Sequence, residues 1–554
     1  MINLSINPGE VKEGYRSALE EANRVGLVER LWKCDYTLWS DAPDEIVDRL
    51  GWLNVHEEML GEIPGILALK KTLLADGYER VLLLGMGGSS LAPELFAKIF
   101  KDCNGLLLEV LDTTVPADII EVTKRIDPEK TLFIVSSKSG TTVEPISLMK
   151  HFFKLTVERV GEIDAPSHFV VITTAGTALA KHAEDFGFRA AYLNDTEIGG
   201  RYSALSLVGL VPAALTGVDD LKLLKSAAAE AERARGPLAV NLAASLGVFL
   251  GECARMGRDK LTLLSESALG PFSDWAEQLI AESTGKAGKG LLPVIQEGLG
   301  DPEDYCDDRI FLSLSHCGEA SFGEQLERLS MAGHPVIKIE LDDRYDLGGL
   351  FFIFEFATAA AGWRMGIHPF NQPDVEAAKE SAREALVEYE KRGSFSMPKP
   401  DLADGPTALY GDSVGGSARE AVLNFFASSE EGGYVSIQSY LGRDPSVFKA
   451  LNALKMEAVK VSGRAVTLGL GPRFLHSTGQ LHKGGATGGR YLQITGDDVE
   501  DLAIPGEEMT FGVLKDAQAL GDAAALKSAG RSVLRVHIRG NILDGLNSLL
   551  GRQR

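Results

Sequence analysis

Several features that would settle a protein's class at once are missing from this sequence. Its five cysteines, Cys34, Cys103, Cys253, Cys306 and Cys317, are scattered, odd in number and never spaced C-x-x-C. Neither a disulfide framework nor a zinc site is indicated, and a reducing cytoplasm is the expected compartment. There is no H-E-x-x-H, no glycine-punctuated acidic loop and no histidine pair at helix spacing, so no metal and no cofactor are expected. Positive charge is in deficit: 56 Lys and Arg against 78 Asp and Glu leave a net charge of -22. Such a field repels nucleic acid and anionic membrane, so an anionic ligand must be held by a local cluster. Long apolar runs are also absent. The richest, "LFFIFEFATAAAGW", carries Glu355 and is too short to cross a bilayer. No basic-then-apolar leader opens the chain, and a membrane is not an expected partner.

What is present is ample. The chain has 554 residues, 45% of them hydrophobic, with 60 glycines, enough to bury more than one core. Residues 1–64 read as a helical segment with acidic faces. From 65 to 218 the strand-like runs "RVLLLGM", "LLLEVLD", "TLFIVSS", "HFVVITT" and "RAAYLND" alternate with stretches that can hold crossover helices, the layout of a parallel, doubly wound sheet. From 219 to 395 the pattern restarts with "KLTLLSE", "KGLLPVI", "RIFLSLS" and "PVIKIEL", followed by a long apolar helix around Phe351 to Arg364. A proline-rich break, "GSFSMPKPDLADGPT", then introduces a third α/β domain over 396–554. Its "YVSIQSYLGRDPSVFKALNALKMEA", "AVTLGLG", "RYLQITG" and "SVLRVHI" echo the second domain in order, so it reads as a duplicate of it. The expected fold class is α/β: tandem doubly wound domains with mainly parallel sheets flanked by helices, plus a third, duplicated α/β domain.

Two glycine- and hydroxyl-rich turns follow strand patterns. "GMGGSS", from Gly85 to Ser90, offers backbone N-H groups at the start of a helix and suits an anion or a sugar hydroxyl. It has Ser90 where a dinucleotide loop needs its third glycine, and it lacks the G-K-[ST] of a P-loop. Taken alone, it could equally be a plain packing turn. "SSKSGTTVEP" sets five hydroxyl side chains, a lysine and a glycine into one turn after "TLFIV". A phosphate monoester has several oxygens to satisfy, and short hydroxyls at a helix start can surround it; a hydroxyl-rich helix cap is the plain alternative.

These motifs, together with "EIGGRYSALSLVG", "AESTGKAGKG" and "HPFNQPDVEAAK", occur in this order between about residue 60 and residue 395. The chain thereby resembles the phosphoglucose isomerase family, built from sugar isomerase (SIS) domains. With "GPRFLHSTGQLHKGG" in the third domain, it is similar to the isomerase half of bacterial transaldolase and glucose-6-phosphate isomerase fusions. The resemblance implies that Ser137, Lys138, Ser139 and Thr142 hold the substrate phosphate while Gly88 and Ser89 line the sugar. It implies that Glu282 moves a proton between C2 and C1 and that Arg201, a permanent cation, stabilises the enediolate. Without the resemblance, Glu282 would read as a solvated helix-end carboxylate and Arg201 as a surface ion pair.

The same resemblance assigns ring opening to Lys379 and a substrate contact to Gln372. Two positions depart from the family pattern: Asn371 stands where an Asp is usual and Asp374 where a Gly is usual. A ring-opening histidine after the base is absent from "LLPVIQEGLGDPEDYCDDRIF", and His316 does not match its place. "LHSTGQLHKGG" supplies His476 instead, with His482 and Lys483 nearby, as a site completed by the third domain or by a neighbouring subunit. The alternative is that His476 caps a helix or binds a separate phosphate. Glu457 in "KMEAVK" aligns with Glu282 but lacks the "STGK" context. The implied activity is the interconversion of glucose 6-phosphate and fructose 6-phosphate. A dual enzyme that also takes mannose 6-phosphate and a non-catalytic sugar-phosphate sensor are the rivals. Family members are commonly homodimers; here a third domain could replace the partner, which leaves a homodimer open.

Overall fold

The computed structural model describes residues 2–266, 268–316, 322–411 and 415–552; Cys317 lies outside them. Two compact units form. The first comprises Met1–Asp112, Ile126–Glu303 and Asp307–Asn371, and the second Thr113–Arg125, Asp304–Cys306 and Gln372–Arg554.

The first unit holds two sheets. Strand β1 spans Ile2–Asn7, and β2 (Arg80–Leu84), β3 (Leu107–Leu111), β4 (Thr131–Ser136), β5 (Phe169–Thr174) and β6 (Ala190–Asn194) form a wholly parallel sheet in the order β3-β2-β4-β5-β6. Its central strands are apolar without alternation because helices cover both faces; Leu132 to Val135 are fully buried. The second sheet contains β7 (Lys260–Ser265), β8 (Leu292–Ile295), β9 (Arg309–His316) and β10 (Val336–Leu341) in the order β1-β10-β9-β7-β8, with β1 antiparallel at the edge. The segment expected to be mostly helical thus opens with a strand. "INLSIN" alternates in burial along its length, and six residues of period two are easily overlooked before a long helical pattern.

The apolar helix expected around Phe351 spans Leu347–Met365 and lies within the core rather than on its surface. It packs so closely on the helix Leu242–Arg255 that a Cβ at Gly247 would sit 2.2 Å from the carbonyl oxygen of Ala357. Glycine is therefore required there for contact rather than for backbone freedom. Among the described residues, no helix is long and apolar enough to cross a membrane.

The second unit is built on one sheet. Its strands are β11 (Leu402–Asp404), β12 (Thr407–Tyr410), β13 (Tyr434–Ser439), β14 (Ala465–Leu470), β15 (Gly489–Gly496) and β16 (Ser532–Ile538), in the order β11-β12-β16-β15-β13-β14. From β14 to β16 the strands are parallel, and β12 then pairs antiparallel with β16. This is the arrangement of β8, β7, β9, β10 and β1 in the first unit: the same strand order, ending on an antiparallel strand. The two faces of the sheet differ. Val435, Ile437, Leu492, Ile494, Leu534 and Val536 form an apolar layer with residues of the helices Ala418–Ala427 and Pro445–Ser462. The opposite face presents Ser436, Gln438, Tyr491, Gln493 and Arg535, and Gln493 donates there to the Ala519 carbonyl of the helix Phe511–Ser528 at 2.9 Å.

The helix Pro373–Arg392, which the sequence groups with the second domain, clusters in the second unit. It packs on Phe511–Ser528 where Gly521 lets the backbone of Ala382 approach; a Cβ there would be 2.6 Å from its nitrogen. The short helix Pro116–Arg125 belongs to this unit as well.

Candidate active site

In the first unit, the carboxyl ends of β2 and β4 run into the two turns singled out by composition. The turn Gly87–Ser89 follows β2 and is locked by the buried Ser90, whose single hydroxyl proton is shared between the Gly87 carbonyl and Asp112 Oδ2, both 3.0 Å from its oxygen. Gly88 lies against the backbone that carries Arg201: a Cβ would meet the Gly200 carbonyl oxygen at 2.1 Å and the Arg201 nitrogen at 2.9 Å. No side chain fits in that gap, so the two turns touch because Gly88 lacks a Cβ; one added at Gly200 would meet nothing within 4 Å.

The turn after β4 is tied together by its own hydroxyls. Ser137 Oγ donates to Thr142 Oγ1 at 3.0 Å, the Ser139 and Thr142 hydroxyls are 3.4 Å apart, and the Gly140 N-H donates to Ser137 Oγ at 3.2 Å. Gly140 has φ +65, the left-handed conformation that lets the chain bend back before the helix Val143–Val160. Lys138 reaches sideways to the Thr196 carbonyl at 2.9 Å, five positions before Arg201. Burial, and then the charge of Arg49, bring its ammonium down from 10.5 to about 8.

Arg201, only 3% exposed, joins these turns to the base candidate. Its Nη1 donates to Glu282 Oε1 at 3.0 Å, its Nε to Ser283 Oγ at 2.7 Å, and its Nη2 to the carbonyls of Pro369 at 2.7 Å and Asn371 at 3.1 Å. Glu282 lies near the end of the helix Gly270–Thr284, with its side chain 13% exposed. One turn earlier, Gln278 Nε2 donates to its other oxygen, Oε2, at 3.0 Å. Each carboxylate oxygen therefore accepts one bond in a fixed plane and keeps a further lone pair. Lys286 of the same "STGK" run is buried and donates to the Ser283 carbonyl at 3.0 Å and the His368 carbonyl at 2.7 Å, clamping the helix end to the segment leading to Asn371.

Gly88, Ser89, Ser137, Lys138, Ser139, Thr142, Arg201 and Glu282 thus belong to one unit, with Gly88, Lys138 and Glu282 each linked to Arg201 or its segment. Gln372, Lys379 and His476 belong to the second unit. Lys379 is half-exposed on Pro373–Arg392 and pairs with Glu376 at 2.7 Å. His476 ends the turn Arg473–His476. The residues expected beside it are interior: His482 is fully buried against Gln438 at 3.1 Å, with its imidazole well below the usual range because of burial, and Lys483 pairs with buried Asp522 at 2.6 Å. Glu457 faces Arg419 at 3.4 Å.

Sequence reading missed Gln278, Ser283, Ser90 and Lys286, ordinary residues whose roles come only from the partners the fold gives them. Among the described residues, no group of three or more His, Cys, Asp or Glu could hold a metal ion, and Cys34, Cys103, Cys253 and Cys306 are free thiols.

A family model described as phosphoglucose isomerase matches residues 72–289. A glucose-6-phosphate isomerase of Limosilactobacillus reuteri is 30% identical over 392 residues, 60% of this chain and 86% of the relative. One of Mycoplasmopsis pulmonis is 28% identical over 423 residues, covering 68% of this chain and 96% of the relative. Among solved structures, a glucose-6-phosphate isomerase from Chlamydia trachomatis superposes with TM-score 0.59 at 18% identity, over 71% of this chain and 89% of that one. At that identity the superposition bears on the fold alone.

Proposed function

The chain belongs to the phosphoglucose isomerase family, and from that membership we propose how its residues divide the aldose-ketose interconversion of glucose 6-phosphate and fructose 6-phosphate. The protein is an isomerase, and the reaction has no net redox change: one proton leaves C2 and returns at C1, or the reverse. A single carboxylate can serve both carbons in turn. Glu282 takes this role, supported by one observation above all: its carboxylate is fixed from both sides, by Arg201 at 3.0 Å and by Gln278 at 3.0 Å, and still has lone pairs for a proton. As the proton leaves, negative charge grows on the sugar oxygens. The Arg201 guanidinium next to the base is the group that stabilises the enediolate, in a setting poor in water and so of low dielectric.

The Ser137–Thr142 turn holds the phosphate through its hydroxyls, its backbone N-H groups and Lys138, while Gly88 and Ser89 line the sugar. Gln372 contacts the substrate, and ring opening depends on Lys379 and His476; these three assignments are supported by the family resemblance.

Lys138 gives this reading a pH signature. With its ammonium at about 8, it is charged below that pH and neutral above it, so its attraction for a phosphate dianion fades as pH rises through that value. In a coupled assay of fructose 6-phosphate turnover, kcat/KM should fall above about pH 8, and Lys138→Gln should lack that limb. In the same assay Lys379→Ala and His476→Ala should each lose about tenfold or more in kcat, within the range of general acid-base contributions. A parent with the pH profile of Lys138→Gln removes Lys138 from phosphate binding, and full activity in the other two variants removes them from ring opening.

A further inference from the structure

The polar face of the second unit's sheet carries a buried guanidinium that no carboxylate of the described residues touches. Arg535 lies mid-strand in β16, across from Tyr410 on β12 and Gln493 on β15. The residue is 9% exposed. Its Nε donates to Gln493 Oε1 at 2.9 Å, and its guanidinium carbon is 5.6 Å from the centre of the Tyr410 ring. Among the described residues, its two Nη nitrogens have no hydrogen-bond acceptor and no carboxylate comes within ion-pair distance of it. Burial pulls the guanidinium below its ordinary value, yet arginine stays protonated in proteins. A buried cation without a hydrogen-bonded partner for its charge is costly, and such groups are normally paired.

The guanidinium opens onto a cavity of about 220 Å³, whose wall includes Arg535, Arg539, His537, Asp516, Phe395 and Tyr410. One carboxylate of the wall, Asp516, acts on Arg535 by its charge, which leaves one acid against two arginines; Lys515, 3.5 Å from Asp516, is held by Asp498 at 2.6 Å, and His537 bridges Thr495 Oγ1 and Asp497 Oδ1, both at 3.0 Å. The volume is below the roughly 300–1,000 Å³ of drug-sized pockets, which restricts the occupant to a small molecule.

We propose that this cavity binds a small, hydroxyl-bearing organic anion, a phosphate monoester or a carboxylate, with its charged group on Arg535 and Arg539. The planar guanidinium fork matches both oxyanions. Asp516 accepts from the hydroxyls, and the carbon skeleton lies against Phe395 and Tyr410. Its residues belong to the second unit and Glu282 to the first, and the proposal does not depend on how Glu282 works.

Calorimetric titration of the full chain with sn-glycerol 3-phosphate and, separately, with D-gluconate tests this and distinguishes the two anion types. At least one should bind with a Kd of about 1 mM or tighter, and that binding should weaken tenfold or more in both Arg535→Gln and Arg539→Gln. It should persist in Thr142→Val, which alters the catalytic phosphate turn, and Arg539→Gln should keep the basal isomerase rate. If Arg535→Gln fails to fold, Arg539→Gln alone carries the test. The proposal is overturned if neither probe binds, if the arginine variants that fold bind like the parent, or if binding is lost only in Thr142→Val.

Discussion

Glu282→Gln should lower kcat for fructose 6-phosphate by about 10²–10⁴-fold, with sugar-phosphate binding changed only a few fold. The amide has the size of the carboxylate and can still accept from Arg201 through its oxygen, and its NH2 can donate to Gln278 once that amide turns its oxygen round, so the helix Gly270–Thr284 should persist. What disappears is the capacity to take up a proton, which separates chemistry from architecture: kcat should fall while KM and the thermal midpoint change little. A sugar-phosphate sensor would show no such split, because its function would not require a base.

Arg201→Lys should damage both stability and rate. A lysine keeps the charge but cannot reproduce the fork that meets Glu282, Ser283 and the carbonyls of Pro369 and Asn371 together. Whichever acceptors the ammonium does not reach are left buried, at about 1–3 kcal/mol each, and the Glu282 carboxylate loses an aligned partner. Urea unfolding should show a loss of several kcal/mol, in keeping with about 3–5 for breaking a buried pair. In the folded fraction kcat should drop by about 10²–10³-fold, as on removal of a charge-stabilising donor. A variant as stable and fast as the parent would mean that Arg201 is neither structural keystone nor catalyst.

The strands that carry the site could be read from sequence because buried parallel strands are continuous apolar runs. "RVLLL", "TLFIVS" and "KLTLLS" need no periodicity to stand out, and all three form strands. The antiparallel strands β1, β11 and β12 were not legible: they are three to six residues long, too short for an alternating pattern to rise above its surroundings. That Pro116–Arg125 and Pro373–Arg392 belong to the second unit depends on distant packing, which chain order does not encode. Within the site, the glycine and hydroxyl turns announced themselves by composition, and Glu282 and Arg201 by motif. Gln278 and Lys286 did not, because a glutamine or lysine near a helix end becomes specific only through its partners, here Glu282 and His368. Arg535 was hidden in the alternating strand "SVLRVHI", where a charged residue normally faces solvent; the helix Phe511–Ser528 covers that face instead.

The central claim is that one carboxylate carries the proton between C2 and C1. A carboxyl group exchanges its proton with water, so isomerisation of glucose 6-phosphate in D₂O, followed by NMR, tests the claim directly. The account predicts deuterium at C1 of the fructose 6-phosphate formed by the parent and no detectable labelling by Glu282→Gln over the same period. Labelling of C1 by Glu282→Gln at the parent's rate would contradict it.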